Sequence, residues 1–167
     1  SKHGFKKPFQ EKLLAKPETE KDGWAGTDFA TFVEGLDKLY GNGKDIDAAF
    51  KLFQQLEKKK VAIASTMIAL CYSDKDWKKA NEKKAVKYLE KAVEADDALA
   101  CYELAKRYKE GNGVEANKTK AIDLMEKADN LGNAKAMAEL GDMYYNGKMV
   151  GKDVTKAIQY YIKGFTN

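Results

Sequence analysis

Residues 98–133 read ALACYELAKRYKEGNGVEANKTKAIDLMEKADNLGN, and this stretch decides the fold because its pattern returns on both sides at a fixed spacing. Asp45, Asn81, Asn117 and Asp153 stand 36 positions apart, as do Ala49, Ala85, Ala121 and Ala157. The same period carries Ile68, Leu104 and Leu140, and also Tyr72, Tyr108 and Tyr144. Leu36 and Tyr40 continue these two ladders in a first unit whose loop is four residues shorter. The chain is therefore a tandem repeat of four units. A unit of this size made of two helices cannot bury its apolar face alone, so neighbours have to stack into a solenoid.

Within the quoted unit, Cys101, Leu104, Ala105 and Tyr108 fall at i, i+3, i+4 and i+7, one face of a first helix. Gly111-Asn112-Gly113 ends that helix, since Gly and Asn tolerate the left-handed backbone that closes a helix. Asn117 then accepts a hydrogen bond from the free amides of the next turn and caps a second helix, which carries Ala121, Leu124, Met125 and Ala128 at the same spacing. Small Ala105 and Ala121 let the two helices approach closely, while Tyr108, Leu124 and Met125 fill the remaining volume. Each unit reads as a helical hairpin.

Ala98, Leu104-Ala105, Tyr108, Gly111, Gly113-Val114, Asn117, Lys120-Ala121, Lys127-Ala128 and Gly132 resemble the Sel1-like repeat, a relative of the tetratricopeptide repeat. The next unit repeats the match through Ala134, Leu140-Gly141, Tyr144, Gly147, Val150, Asp153, Ala157 and Tyr160. Unit two departs from the pattern, with Ser73-Asp74-Lys75-Asp76-Trp77 where Gly-x-Gly would stand, and unit one has Asp37 at a place for a small residue. The resemblance implies an all-α, right-handed α-solenoid of about four Sel1-like hairpins. The expected organisation is a basic arm, cap and linker over 1–26, then a repeat domain over 27–167 with units at 27–61, 62–97, 98–133 and 134–167.

The net charge is +4, and the basic side is nearly all lysine, Arg107 being the only arginine. Lysines alternate with acids, as in Glu82-Lys83-Lys84 and Glu90-Lys91, which describes a solvated helix surface rather than a nucleic-acid footprint. Lys58-Lys59-Lys60 is the one pure run, placed at a helix end where cations face the dipole favourably.

In the amino-terminal arm, Phe5, Phe9 and Leu13 are four apart, so Gly4 to Ala15 can form a short amphipathic helix. Such a helix would cover the open end of the first repeat, or contact a partner or membrane as a basic arm; the alternative is a disordered tail that Lys2, Lys6, Lys7, Lys12 and Lys16 simply solubilise. Pro17 to Gly26 reads as linker, and Thr27 or Asp28 is expected to cap the first repeat helix. No apolar run reaches the length that spans a bilayer. Ser1 follows either a removed export signal or a trimmed start. Bacterial proteins of the resembled type are often exported, which leans toward an exported or periplasmic setting over a cytoplasmic one.

Cys101 falls on the core face at the place of Val33, Ser65 and Met137, the role of a small buried hydrophobe. Cys71 stands at the place of Leu39, Arg107 and Met143, displaced along the helix axis, so two reduced thiols are expected. The cysteine-rich Helicobacter relatives staple each hairpin with a disulfide, a pattern absent here.

Catalytic chemistry finds no footing. His3 is the only histidine, so neither a zinc site nor a nucleophile with an adjacent imidazole base can be assembled in the repeats. Gly41-Asn42-Gly43-Lys44 lacks the strand, the glycine spacing and the Ser or Thr of a phosphate loop, and reads as an interhelical turn. Asp45 and Asp47 lack the remaining ligands of a calcium loop. Asn117-Lys118-Thr119 fits the glycosylation acceptor, yet its Asn already serves as a cap. No catalytic residue, metal or cofactor is expected.

The informative surface is the first-helix side left unused by the hairpin core. Ile63, Met67 and Leu70 lie at i, i+4 and i+7 opposite the core stripe, and the next unit offers Leu99 and Tyr102 at the matching level. In solenoids of the resembled kind the first helices line the concave face. These five residues would then form an apolar patch flanked by Glu34, Lys38, Glu103, Lys106 and Arg107, the character of an interaction site. Burial of Ile63 or Leu70 between neighbouring helices is the alternative. The expected function is a protein-binding adaptor, such as a bacterial toxin-neutralising immunity protein, whose partner is another protein and not nucleic acid. Two other classes stay open: a weak penicillin-binding or β-lactam-hydrolysing enzyme, as the cysteine-rich resemblance implies, and a structural protein. The last would self-associate through the final hairpin, where Tyr161, Ile162 and Phe165 lack an obvious cover, in place of the expected monomer.

Overall fold

The structure, a computed structural model, describes residues 24, 26–146 and 153–166. Among the described residues there are eight α-helices and no strand: α1 (Asp28–Tyr40), α2 (Ile46–Lys58), α3 (Ala62–Ser73), α4 (Glu82–Glu94), α5 (Ala98–Glu110), α6 (Lys118–Asn130), α7 (Ala134–Asn146) and α8 (Val154–Thr166). Two compact bodies divide between Ala80 and Asn81. The arm helix expected over Gly4 to Ala15 lies outside the described residues, as does the loop holding Gly147 and Val150.

In the amino-terminal body α1 packs on α2 and α2 on α3. Gly35 makes the first pairing close: a Cβ there would lie 2.5 Å from Cε1 of Phe53, whose ring is fully buried. Leu36, Leu39, Ala49 and Leu56 complete the core, each large apolar side chain contributing about 1.5–3 kcal/mol on burial. Gly41 to Lys44 forms the interhelical turn, and the Asp45 carboxylate accepts the Ala48 amide at 3.0 Å to start α2.

The start of α1 differs from the expected cap. Thr27 holds the N-cap position without a side-chain cap bond. Asp28 is buried and takes the Lys59 ammonium at 2.8 Å instead. One member of the lysine run is thereby an ion-pair partner for the helix α1 start, a role that charge spacing along the chain cannot display because the partners are 31 residues apart.

The loop after α3 lacks glycine and is held by other means. Asp74 accepts the Asp76 amide at 2.9 Å, and both carboxylates hold Lys44, at 2.6 and 3.1 Å. Trp77 is buried beside Phe50 and Tyr72, with ring centroids 5.0 and 5.2 Å away, and donates its indole N–H to Asp47 at 2.8 Å. An aromatic side chain thus anchors from inside the turn that glycines shape elsewhere.

In the carboxy-terminal body the helices pack in succession, α4 on α5, α5 on α6, α6 on α7 and α7 on α8. Asn81, Asn117 and Asp153 each accept the amide three residues on, at 3.1, 3.1 and 2.9 Å, so the Asx ladder of the sequence is a ladder of helix caps. Gly111 closes α5 in the left-handed conformation at φ +71°. Cys101, Ala105, Met125, Ala128, Leu140 and Ala157 belong to one continuous core. Lys127 donates to the Val93 carbonyl at 3.0 Å and Lys163 to Asp129 at 2.8 Å, each reaching 34 residues back. Two lysines one period apart therefore tie successive hairpins together, which is the nearest-neighbour coupling that makes a repeat array stable.

Candidate protein-binding surface

The first helices carry the surface residues singled out by sequence, and their burial sorts them. On α3, Met67 is only 4% exposed, whereas Ile63 and Leu70 are half-buried. The helix AIASTMIALCYS has no charged residue and is apolar all round, the character of a helix with neighbours on several sides. The hiding expected of Ile63 or Leu70 falls on Met67.

On α5, Leu99 is half-buried and Tyr102 is 8% exposed, its ring part of the carboxy-terminal core. Lys106 and Lys135 stand over that ring, with Nζ 5.0 and 6.0 Å from its centroid. Burial pushes the phenol above its ordinary value of 10.0, and the carboxylates of Glu139 and Glu103 add to the shift. Tyr102 therefore remains a neutral packing group at physiological pH.

Arg107 lies inward of the rim at which the sequence put it, with 6% exposure. Its guanidinium donates to both the carbonyl and the carboxylate of Glu103, at 2.9 and 3.0 Å, and Nε lies 3.4 Å from the Glu82 carboxylate. The fork geometry of arginine, matched to two carboxylates, explains why this register place holds the chain's only arginine. Glu103 also lies 3.6 Å from Lys106, so the Glu103 carboxylate bridges the buried arginine and the surface lysine.

Charges that the sequence reading passed over complete this face. Lys135 and Glu139 of α7 flank Tyr102, and Glu139 is joined to Lys109 of α5 at 3.6 Å. The 36-residue period would have found them, because Lys135 and Glu139 occupy the places of Leu99 and Glu103 one unit on. In the carboxy-terminal body the first helices thus present a mixed-charge strip of Glu103, Lys106, Lys109, Lys135 and Glu139 over a buried tyrosine.

A second concavity, of about 600 Å³, lies in the amino-terminal body between Gly43–Asp47 and Asp76–Lys78. Its charges are matched internally, Lys44 by Asp74 and Asp76, and Asp47 by the Trp77 indole. That indole bond holds the Asp47 carboxyl below its ordinary value of 3.8. No group of three or more His, Cys, Asp or Glu able to hold a metal occurs among the described residues. Both cysteines are free and buried; burial pushes Cys71 up to about 12 and raises Cys101 as well, so neither is poised as a nucleophile. Among the described residues no helix is long and apolar enough to cross a membrane.

No protein of curated function matches the chain. Several solved structures share its fold. A protective antigen of uropathogenic Escherichia coli, c5321, described as displaying an SLR fold, is 23% identical with a TM-score of 0.72, over 94% of this chain and 33% of its own. A Sel1 repeat protein from Oxalobacter formigenes is 28% identical with a TM-score of 0.67, over 92% of this chain and 62% of its own. Cysteine-rich protein B of Helicobacter pylori is 24% identical with a TM-score of 0.58, over 74% and 88%. The chain spans about a third of the Escherichia coli protein and under two thirds of the Oxalobacter protein. Sel1 repeats are, as a class, scaffolds for protein interaction and typically not enzymes. The Sel1 repeat pattern matches residues 35–58, 62–97, 98–133 and 134–165, well over half of the sequence, and the chain belongs to the Sel1 repeat family.

Proposed function

We propose that this protein is an adaptor that recognises a partner protein through its first-helix faces, without catalysis of its own. The observation that carries the reading is the strip over Tyr102, where Lys106, Lys135, Glu103 and Glu139 converge from two successive first helices. A strip fixed by a buried aromatic and by the Lys109 to Glu139 pair is ordered before a partner arrives, which lowers the entropy lost on binding. Mixed charge at such a face selects among partners and speeds encounter more than it adds affinity. Leu99 on α5, and Ile63 and Leu70 on α3, supply half-exposed apolar contacts on their own bodies. A partner segment of alternating charge, with an apolar side chain set toward Leu99, fits the carboxy-terminal strip.

Affinity capture from the native host tests this reading, with wild type beside a Lys106→Glu, Lys135→Glu variant. Met67 and Tyr102 are poor probes, since both are buried and their substitution reports on folding. A partner retained by wild type and lost by the charge-reversed variant supports the adaptor reading. A dedicated immunity protein yields one captured toxin, and a general adaptor yields several proteins. A partner held equally by both forms contradicts the proposed face.

A further inference from the structure

The tripeptide Gly-Asn-Gly occurs after two of the first helices, as Gly41-Asn42-Gly43 after α1 and as Gly111-Asn112-Gly113 after α5. An asparagine followed by glycine is open to attack on its side-chain amide by the next backbone nitrogen, because glycine has no Cβ to crowd the approach. Identical neighbours give Asn42 and Asn112 the same intrinsic chemistry. Any difference in their fate is set by the fold. A third Asn-Gly step, Asn146-Gly147, has a different residue before it and ends outside the described residues.

The surroundings of the two tripeptides differ. Gly41 is extended, at φ −84° and ψ 178°, and donates to the Asp37 carbonyl at 2.8 Å, while the Asp45 amide donates to the Lys38 carbonyl at 2.8 Å. These bonds fix both ends of the turn, and neither uses the amide of Gly43. Asn42 and Gly43 are exposed, and nothing lies within 4 Å of a Cβ built on Gly43. The backbone between the fixed ends has room to rotate.

Asn112 is exposed as well, but its backbone is held. The Gly111 and Asn112 amides both donate to the Arg107 carbonyl, at 2.8 and 3.0 Å. Gly113 is half-buried at φ +74°, and a Cβ on it would lie 2.6 Å from the Glu82 carbonyl oxygen. A ring closing through the Gly113 nitrogen has to move that backbone, and the first turn of α4 stands in the way.

We propose that Asn42 is a site of spontaneous backbone modification, from which the fold protects Asn112. The Gly43 nitrogen bonds to Cγ of Asn42 and gives up its proton; the Cγ–Nδ2 bond breaks, and Nδ2 leaves with that proton as ammonia. Water then opens the resulting succinimide. Breaking the new Cγ–N bond gives aspartate, and breaking the original backbone C–N bond gives isoaspartate, with the chain running through the side chain. Either product places a carboxylate two residues from Lys44, the cation that ties this turn to Asp74 and Asp76 at 2.6 and 3.1 Å. The change falls at the edge of the concavity lined by Gly43 and Lys44.

Incubation of the full chain for days in mildly alkaline buffer tests the proposal, read by peptide mapping with mass spectrometry and by enzymatic methylation of isoaspartate. In folded wild type, Asn42 should convert at least about tenfold faster than Asn112. In denaturant the two should convert within about threefold of each other, since the packing that separates them is gone. Gly43→Ala, which the open space accommodates, should slow Asn42 about tenfold, with wild-type circular dichroism and an unchanged Asn112. Asn42 left intact in the folded chain, or converted no faster than Asn112, overturns the proposal. A preference for Asn42 that persists undiminished in denaturant overturns it equally, because that preference would belong to the flanking sequence and not to the fold.

Discussion

Gly113 passes so close to the start of α4 that a Cβ on it would lie 2.6 Å from the Glu82 carbonyl oxygen, and its φ is +74°. The loop that follows α5 is thus pressed against the first turn of the preceding second helix. Replacing Gly113 with Ala adds left-handed strain and a backbone clash that no side-chain rotation relieves. The expected loss is about 3 kcal/mol in urea unfolding. Gly43→Ala, with open space around the new methyl group, should change stability by less than about 0.5 kcal/mol.

Arg107 offers a second test in the same region. Its removal takes away the cation that Glu103 and Glu82 share at this buried place, and Lys106 stays 3.6 Å from Glu103 alone. Arg107→Ala should destabilise by about 3–5 kcal/mol, and Arg107→Lys should recover only part of the loss because a lysine cannot reach both carboxylates with one planar fork. Chemical unfolding with circular dichroism reads both. Equal stability of wild type and the alanine variant would show that the buried pair contributes nothing.

The Asp47 to Trp77 bond makes a pH prediction. A carboxyl lowered in the folded state contributes stability that is present above its unfolded value near 3.8 and lost as pH falls through the lowered folded value. Trp77→Phe keeps an aromatic ring and removes the N–H. In an NMR titration, Asp47 of the variant should titrate at a higher pH than in wild type, and the variant's acid unfolding should lose its contribution from that bond. An unchanged Asp47 titration would sink the assignment.

The cysteines should be silent in the folded protein. With Cys71 at about 12, its thiolate fraction at mildly alkaline pH is far below that of a free thiol, and burial lowers that of Cys101 in the same direction. Labelling of Cys71 with an aromatic disulfide reagent should run roughly a thousandfold or more slower than in unfolded chain and that of Cys101 should also be slowed, with two thiols per chain consumed once denaturant is added. Rapid labelling of one thiol in native buffer would contradict the burial described for both.

The repeat was legible because it rests on local chemistry. Caps at Asn81, Asn117 and Asp153, a left-handed Gly111 and alanines at hairpin contacts are each dictated by groups a few residues away. Long-range pairings were not legible. The Asp28 to Lys59 ion pair and the Trp77 to Asp47 bond join residues about 30 positions apart in the two units whose loops depart from the period. The surface reading suffered similarly. A helical wheel separates two faces, but α3 and α5 are covered on more than one, so Met67, Tyr102 and Arg107 are buried where a two-faced helix would expose them. Lys135 and Glu139 lie one period after Leu99 and Glu103, but an apolar pattern marks the patch along the chain and charged residues stand outside it.

Titration calorimetry of the captured partner tests the adaptor reading most directly, using wild type, the Lys106→Glu, Lys135→Glu variant, and a Lys87→Glu, Glu90→Lys variant on the exposed side of α4. The account predicts at least about tenfold weaker binding for the first-helix variant and wild-type affinity for the second-helix variant. Wild-type affinity for the first-helix variant, with binding abolished on α4, would contradict it and move the recognition surface to the second helices.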